Sequence, residues 1–186
     1  MNKNKQIFSS LTILYFLLGF VNIHLSSLAL FCLVTPLVLL MKNRKNLWCS
    51  GICPRADYLS LFRFVNLGLR MPRWLVNLKA KNLVLTYVCF NLLLIGLSSF
   101  MVSQGKIAPI DKIRLFIFLQ IPWDMPQMIH YHLYNPLLLH LSFRLYSLML
   151  SSTILGTVLA ILYKPRTWCV LCPVKTLSQR YLNQFS

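Results

Sequence analysis

The sequence predicts an all-α membrane protein: a four-helix transmembrane bundle with a pseudo-two-fold internal repeat and both termini cytoplasmic. Three observations predict it. Of 186 residues, 57% are hydrophobic, and the mean hydropathy is +0.63. Only 12% are charged, about half the share of a soluble domain, so water cannot be the only solvent. Two W-C…C-P segments, each just after an apolar run, mark a repeated unit.

The elements follow in order. Gln6 to Met41 contains no Lys, Arg, Asp or Glu. One helix through it would be about 52 Å long, against a hydrocarbon core of about 30 Å. Two spans are therefore expected, 7–23 and 25–41, with a turn near Asn22–Ser27. A cleaved signal peptide over Met1–Ala29 is the rival reading. An uncleaved helix fits better, because the apolar run continues past Ala29. Next comes a basic loop, 42–82, in which Tyr58–Leu69 has the spacing of a helix lying on the membrane surface. A third span is expected at 83–102 and a fourth at 145–163. The outer loop between them, 103–144, is rich in aromatic residues and broken by Pro109, Pro122, Pro126 and Pro136. Together, residues 1–186 read as a single membrane domain.

Charge orients the bundle. Fifteen Lys and Arg lie in the N-terminal tail, the 42–82 loop and the C-terminal tail, against four in the 103–144 loop. By the positive-inside rule the fifteen face the cytoplasm; the expected location is a bacterial cytoplasmic (inner) membrane. The net charge of +16 can signal nucleic acid. Here the basic residues sit at the ends of apolar runs, where they meet anionic lipid. The expected partner is membrane lipid, not nucleic acid. Three Asp (Asp57, Asp111, Asp124) and no Glu exclude paired-carboxylate hydrolysis and carboxylate-rich metal sites. Phosphate-loop, dinucleotide and nucleophile-elbow motifs are also missing.

The chemistry lies in four of the six cysteines. The first motif is Trp48-Cys49-Ser50-Gly51-Ile52-Cys53-Pro54 and the second is Trp168-Cys169-Val170-Leu171-Cys172-Pro173. Each follows a basic K-x-R step, Lys42-Asn43-Arg44 or Lys164-Pro165-Arg166, and each is followed by Leu-Ser. If the repeat is related by a pseudo-two-fold axis, Cys49, Cys53, Cys169 and Cys172 converge as metal ligands. Four thiolates suit an iron–sulfur centre, or zinc as the alternative. Lys45, Arg55, Arg166 and Lys175 would favour the thiolate forms. A reducing compartment disfavours disulfides. Cys32 and Cys89 lie in apolar spans and read as packing residues. His24 lies near the expected turn and His140 precedes the fourth span. The pair His130 and His132 reads as interfacial polar residues, with contact to a quinone head group, a haem or a partner protein as the alternative. Trp48 and Trp168 read as interface anchors or as shields of the adjacent cluster from water. Asp111 and Asp124 are expected to pair with Lys112 or Arg114.

At these motifs the sequence resembles the membrane module of the NosR/NapH/PceC-type 4Fe-4S-binding proteins. The resemblance rests on Cys49, Cys53, Pro54, Cys169, Cys172 and Pro173 and on the spans around them. It implies a 4Fe-4S cluster and electron passage between the quinone pool or cytoplasmic donors and extracytoplasmic reductases. Many members carry a further ferredoxin-type or flavin domain. The sequence holds neither, so the resemblance implies a minimal core working with redox partner subunits, and a quinone is a further candidate partner. Two alternatives stand beside it. One is a DsbB-like thiol–disulfide oxidoreductase. The other is a zinc-clamped membrane anchor or assembly factor.

Overall fold

The computed structural model describes residues 3–46, 48–110, 112–116, 119–120 and 135–184. Helix α1, Lys3–Val21, leads through a 3-10 turn, Ile23–Leu28, into α2, Ala29–Asn43. The turn has a local cause. Asn22 is extended, and its side chain accepts the His24 N–H at 2.9 Å, which caps the 3-10 segment. After the first cysteine motif come α3, Pro54–Ser60, a second 3-10 turn, Leu61–Phe64, the short α4, Arg73–Val76, and α5, Leu78–Ser103. A two-residue strand pair, β1 (Arg114–Leu115) and β2 (Leu119–Gln120), is antiparallel. The chain ends with α6, Pro136–Leu162, α7, Thr167–Leu171, and α8, Pro173–Gln184.

Among the described residues, three helical stretches are long and apolar enough to cross a membrane: Ile23–Asn43, Leu78–Ser103 and Pro136–Leu162. The first of the four expected spans gives a shorter apolar helix, Ser9–Val21. Two boundaries also differ from expectation. α5 starts at Leu78 and not at 83, and α6 starts at Pro136 and not at 145, so 136–144 is helix and not outer loop. Lys79, Lys81 and Arg144 end the apolar runs without ending the helices, because a long basic stem can lie along an apolar surface. Proline is preorganised for a first helical turn, so Pro136 starts α6.

The expected surface helix Tyr58–Leu69 is corrected as well. Helical structure stops at Phe64, and residues 66–72 form neither helix nor strand. The Leu67 N–H donates to the Ile161 carbonyl at 2.7 Å, and the Leu69 N–H to the Leu162 carbonyl at 3.2 Å. These carbonyls end α6 and have no partner within it. Gly68, at φ 63°, supplies the left-handed residue between the two bonds.

Contacts divide the chain into two compact units, each with its own core. One comprises Met1–Thr12, Cys32–Cys89 and Thr153–Ser186; the other comprises Ile13–Phe31 and Phe90–Ser152. In the first, Leu59, Ala160 and Trp168 are buried together. In the second, Tyr146 packs with Ile23, Ile113 and Phe143, and Phe16 meets its ring edge-on at 5.8 Å. A side chain at Gly19 would overlap the Tyr146 ring, so the close approach of α1 requires glycine. Hydroxyls on α6 hold the strand segment. Ser147 accepts the Arg114 N–H at 3.1 Å and Ser151 accepts the Phe116 N–H at 3.2 Å.

Candidate metal centre

Both cysteine motifs are built from the end of a long helix, a left-handed arginine, a tight turn and a proline-started helix. α2 closes with the Arg44 N–H on the Leu40 carbonyl at 2.9 Å, and Arg44 itself sits at φ 48°. A π-turn, Trp48–Ile52, follows and is closed by the Cys53 N–H on the Trp48 carbonyl at 3.0 Å. The Cys49 N–H donates to Asn46 Oδ1 at 3.4 Å. Cys53 then occupies the N-cap of α3, with Pro54 as its first helical residue. There the missing proline N–H would have had no partner anyway.

The second motif repeats this plan. After α6, Arg166 sits at φ 68°. Thr167 fixes the entry to α7. Its hydroxyl donates to the Lys164 carbonyl at 2.7 Å, and its N–H donates to the same oxygen at 3.0 Å. The Cys169 N–H closes on the Arg166 carbonyl at 2.9 Å. Cys172 ends α7, and Pro173 starts α8. The two K-x-R steps noted in the sequence thus share a backbone conformation that arginine rarely adopts.

All four motif cysteines are free thiols of intermediate exposure. Each of the six pairings among Cys49, Cys53, Cys169 and Cys172 is close enough for one thiolate to disfavour the other. Burial is the largest influence. It pushes Cys49 and Cys169 up to about 11, and their thiol neighbours push the same way. Burial also raises Cys53, against the N–H groups of Ala56 and Arg55, which stabilise its thiolate, and the Arg55 charge. Arg166 and Lys175 oppose the rise at Cys169. A bound cation removes this cost, because coordination deprotonates a thiol outright.

The donor set fits an iron–sulfur cluster. Among the described residues, no three His, Cys, Asp or Glu side chains converge tightly enough to hold one ion. A single tetrahedral zinc would need its four sulfurs within roughly 4 Å of one another, from Zn–S bonds of about 2.3 Å. A cluster places several irons between its thiolates and holds them further apart. Four thiols, with Arg55, Arg166 and Lys175 near enough to favour their thiolate forms, are the donor type that such a cluster takes.

The remaining candidates fall elsewhere. Trp168 is no interface anchor. It is 4% exposed and packed on Leu59 and Ala160, whereas Trp48 is half-buried. His140, expected just before the fourth span, is buried within α6. Its Nδ1 accepts the Ile110 N–H at 3.2 Å, and its Nε2 lies 2.9 Å from Ser98 Oγ, so the ring staples the 98–110 region to α6. His24 lies in the first 3-10 turn. His130, His132, Asp111 and Asp124 lie outside the described residues. One pair escapes sequence reasoning: Arg166 meets Asp57 at 3.2 Å across 109 residues of chain. A usable signal exists, since Asp57 is the only carboxylate outside the 103–144 segment.

A family model described as a 4Fe-4S binding domain matches residues 24–64 and 147–182. The match supports an iron–sulfur-binding family. Each of its two stretches takes in the end of a long helix, one cysteine motif and the proline-started helix that follows. No curated protein and no solved structure matches significantly.

Proposed function

We propose that the chain is a membrane electron-transfer protein whose Cys49, Cys53, Cys169 and Cys172 hold a 4Fe-4S cluster at the cytoplasmic face of a bacterial inner membrane. It would work as part of a NosR/NapH/PceC-type system, exchanging electrons with redox partner subunits and a quinone. The observation that carries this reading is the mutual electrostatic reach of all four motif thiols. The two-part family match and the three long apolar helices support it. A bound cluster supplies one-electron transfer without proton exchange at the ligands. The chain's own residues do the rest. Pro54 and Pro173 fix the exits of the two turns. The start of α3 directs N–H groups toward Cys53. Arg55, Arg166 and Lys175 offset the negative charge of four thiolates.

The DsbB-like alternative needs an attacking thiol with a lowered pKa. Burial has pushed Cys49 and Cys169 the other way, to about 11, which leaves little thiolate at neutral pH. The deciding experiment is anaerobic purification in detergent, followed by iron and labile-sulfide analysis, a visible spectrum and electron paramagnetic resonance. Stoichiometric iron and sulfide with a reducible signal are expected. A folded sample holding zinc, or neither iron nor sulfide, overturns the proposal. Labelling of intact cells with an impermeant maleimide tests the side of the membrane, and rapid labelling of Cys49 or Cys172 would favour the alternative.

A further inference from the structure

Asp57 lies four residues after Cys53, in the first turn of α3, and Arg166 lies three before Cys169, at the entry to α7. Their 3.2 Å ion pair therefore joins the two cysteine motifs directly. The pair is lopsided, since the Asp57 side chain is 8% exposed and the Arg166 side chain 45%. A buried carboxylate is unfavourable unless a cation accompanies it. Arg166 supplies that cation from a left-handed backbone that costs a residue with a side chain free energy. Glycine would hold this backbone more easily, so the side chain is what this position needs.

We infer that Asp57 and Arg166 form the electrostatic clasp of the centre, a positioning pair that ties the two half-sites together and sets the reduction potential of the group they hold. The inference rests on the cluster reading. Arg166 faces both ways: it pairs with Asp57, and its charge also favours the thiolate of Cys169. Reduction adds negative charge to the centre. A nearby cation favours the reduced state and a nearby anion disfavours it. The two partners of one ion pair therefore act on the potential with opposite signs.

The test is a mediated dithionite titration of the purified, loaded protein and its variants, read by the visible spectrum. Asp57→Asn raises the potential, Arg166→Gln lowers it, and the double variant returns toward the wild-type value. A merely structural role would move both single variants the same way. Single variants that shift together, or not at all, overturn the inference. Should a single variant emerge without its cluster, iron retention decides instead. Retention in Arg166→Lys with loss in Arg166→Gln supports the clasp, and loss in both overturns it. Wild-type protein lacking iron and sulfide sinks the cluster reading, and this inference with it. A loaded wild type whose variants shift together sinks the inference alone.

Discussion

The two cysteine motifs differ in length by one residue, and the backbone absorbs the difference in the turn between the sulfurs. Trp48–Ile52 is a π-turn, whereas Thr167–Leu171 is α-helical. A π-turn closes one residue later than an α-turn. Cys53 therefore reaches the start of α3 as Cys172 reaches the start of α8, each followed by proline. Around this shared frame the halves specialise. Four residues after the second cysteine, the first motif has Asp57, which pairs across to Arg166. The second motif has Thr176 there, whose hydroxyl turns back to the Cys172 carbonyl at 3.2 Å. The two motifs share a backbone frame, and the residues at the matched positions 57 and 176 differ in the partners they take.

If the four motif thiols act as one set, the largest effect comes from breaking either half. Serine at Cys49, Cys53, Cys169 or Cys172 should lower iron and sulfide content at least about tenfold, because a cluster needs all four thiolates. Serine at Cys32 or Cys89 should leave both unchanged. Loss confined to one motif would mean that the halves do not share a centre. The tryptophans sharpen the contrast next. Trp168→Ala empties a buried site against Leu59 and Ala160 and should cost about 3–5 kcal/mol. Trp48→Ala, at a half-buried position, should cost about 1 kcal/mol. Denaturation in detergent micelles measures both, and equal losses would contradict the asymmetry.

Much of this was legible in the sequence, because periodicity and spacing are local signals. The Asn22 turn follows from a polar interruption in an apolar run. The repeat of Arg, Trp, Cys and Pro is visible as a string. Other features rest on partners far away in the chain. Arg144 reads as a helix end, yet it lies inside α6. The apolar spacing of Leu67 and Leu69 suggests a helix, but their N–H groups are spent on the carbonyls that end α6. Trp168 reads like its counterpart Trp48, and only packing against α3 and α6 separates them. The Asp57–Arg166 pair spans 109 residues, beyond any window of pattern reading.

The first cysteine of each motif also predicts a common pH response. Burial raises Cys49 and Cys169 from the ordinary 9.0 to about 11. Without metal, the folded chain then keeps protons that the unfolded chain releases. Their contribution to stability is full below pH 9 and is lost as pH climbs through about 11. Alkylation of metal-free protein by iodoacetamide should accelerate with a midpoint near pH 11 at both positions. In denaturant the midpoint should return to about 9. A native midpoint near 9 at Cys49 alone would show that the two half-sites are not equivalently buried.

The smallest effect tests whether the π-turn needs its glycine. Gly51 lies outside the left-handed region, and a Cβ there would meet no atom within 4 Å. Gly51→Ala therefore removes freedom from the unfolded chain without strain in the folded one, a gain of about 0.4–1 kcal/mol. Gly156 provides the contrast, since a Cβ there lies 3.3 Å from Trp168 Cγ and 3.5 Å from Leu59. Gly156→Val should overpack that contact at a cost of about 1–3 kcal/mol. Thermal unfolding of the three proteins gives the ranking. Destabilisation by Gly51→Ala would mean that the extra residue is tolerated only as glycine, and that the wider turn is a specific adaptation of the first half-site and not a neutral way of absorbing length.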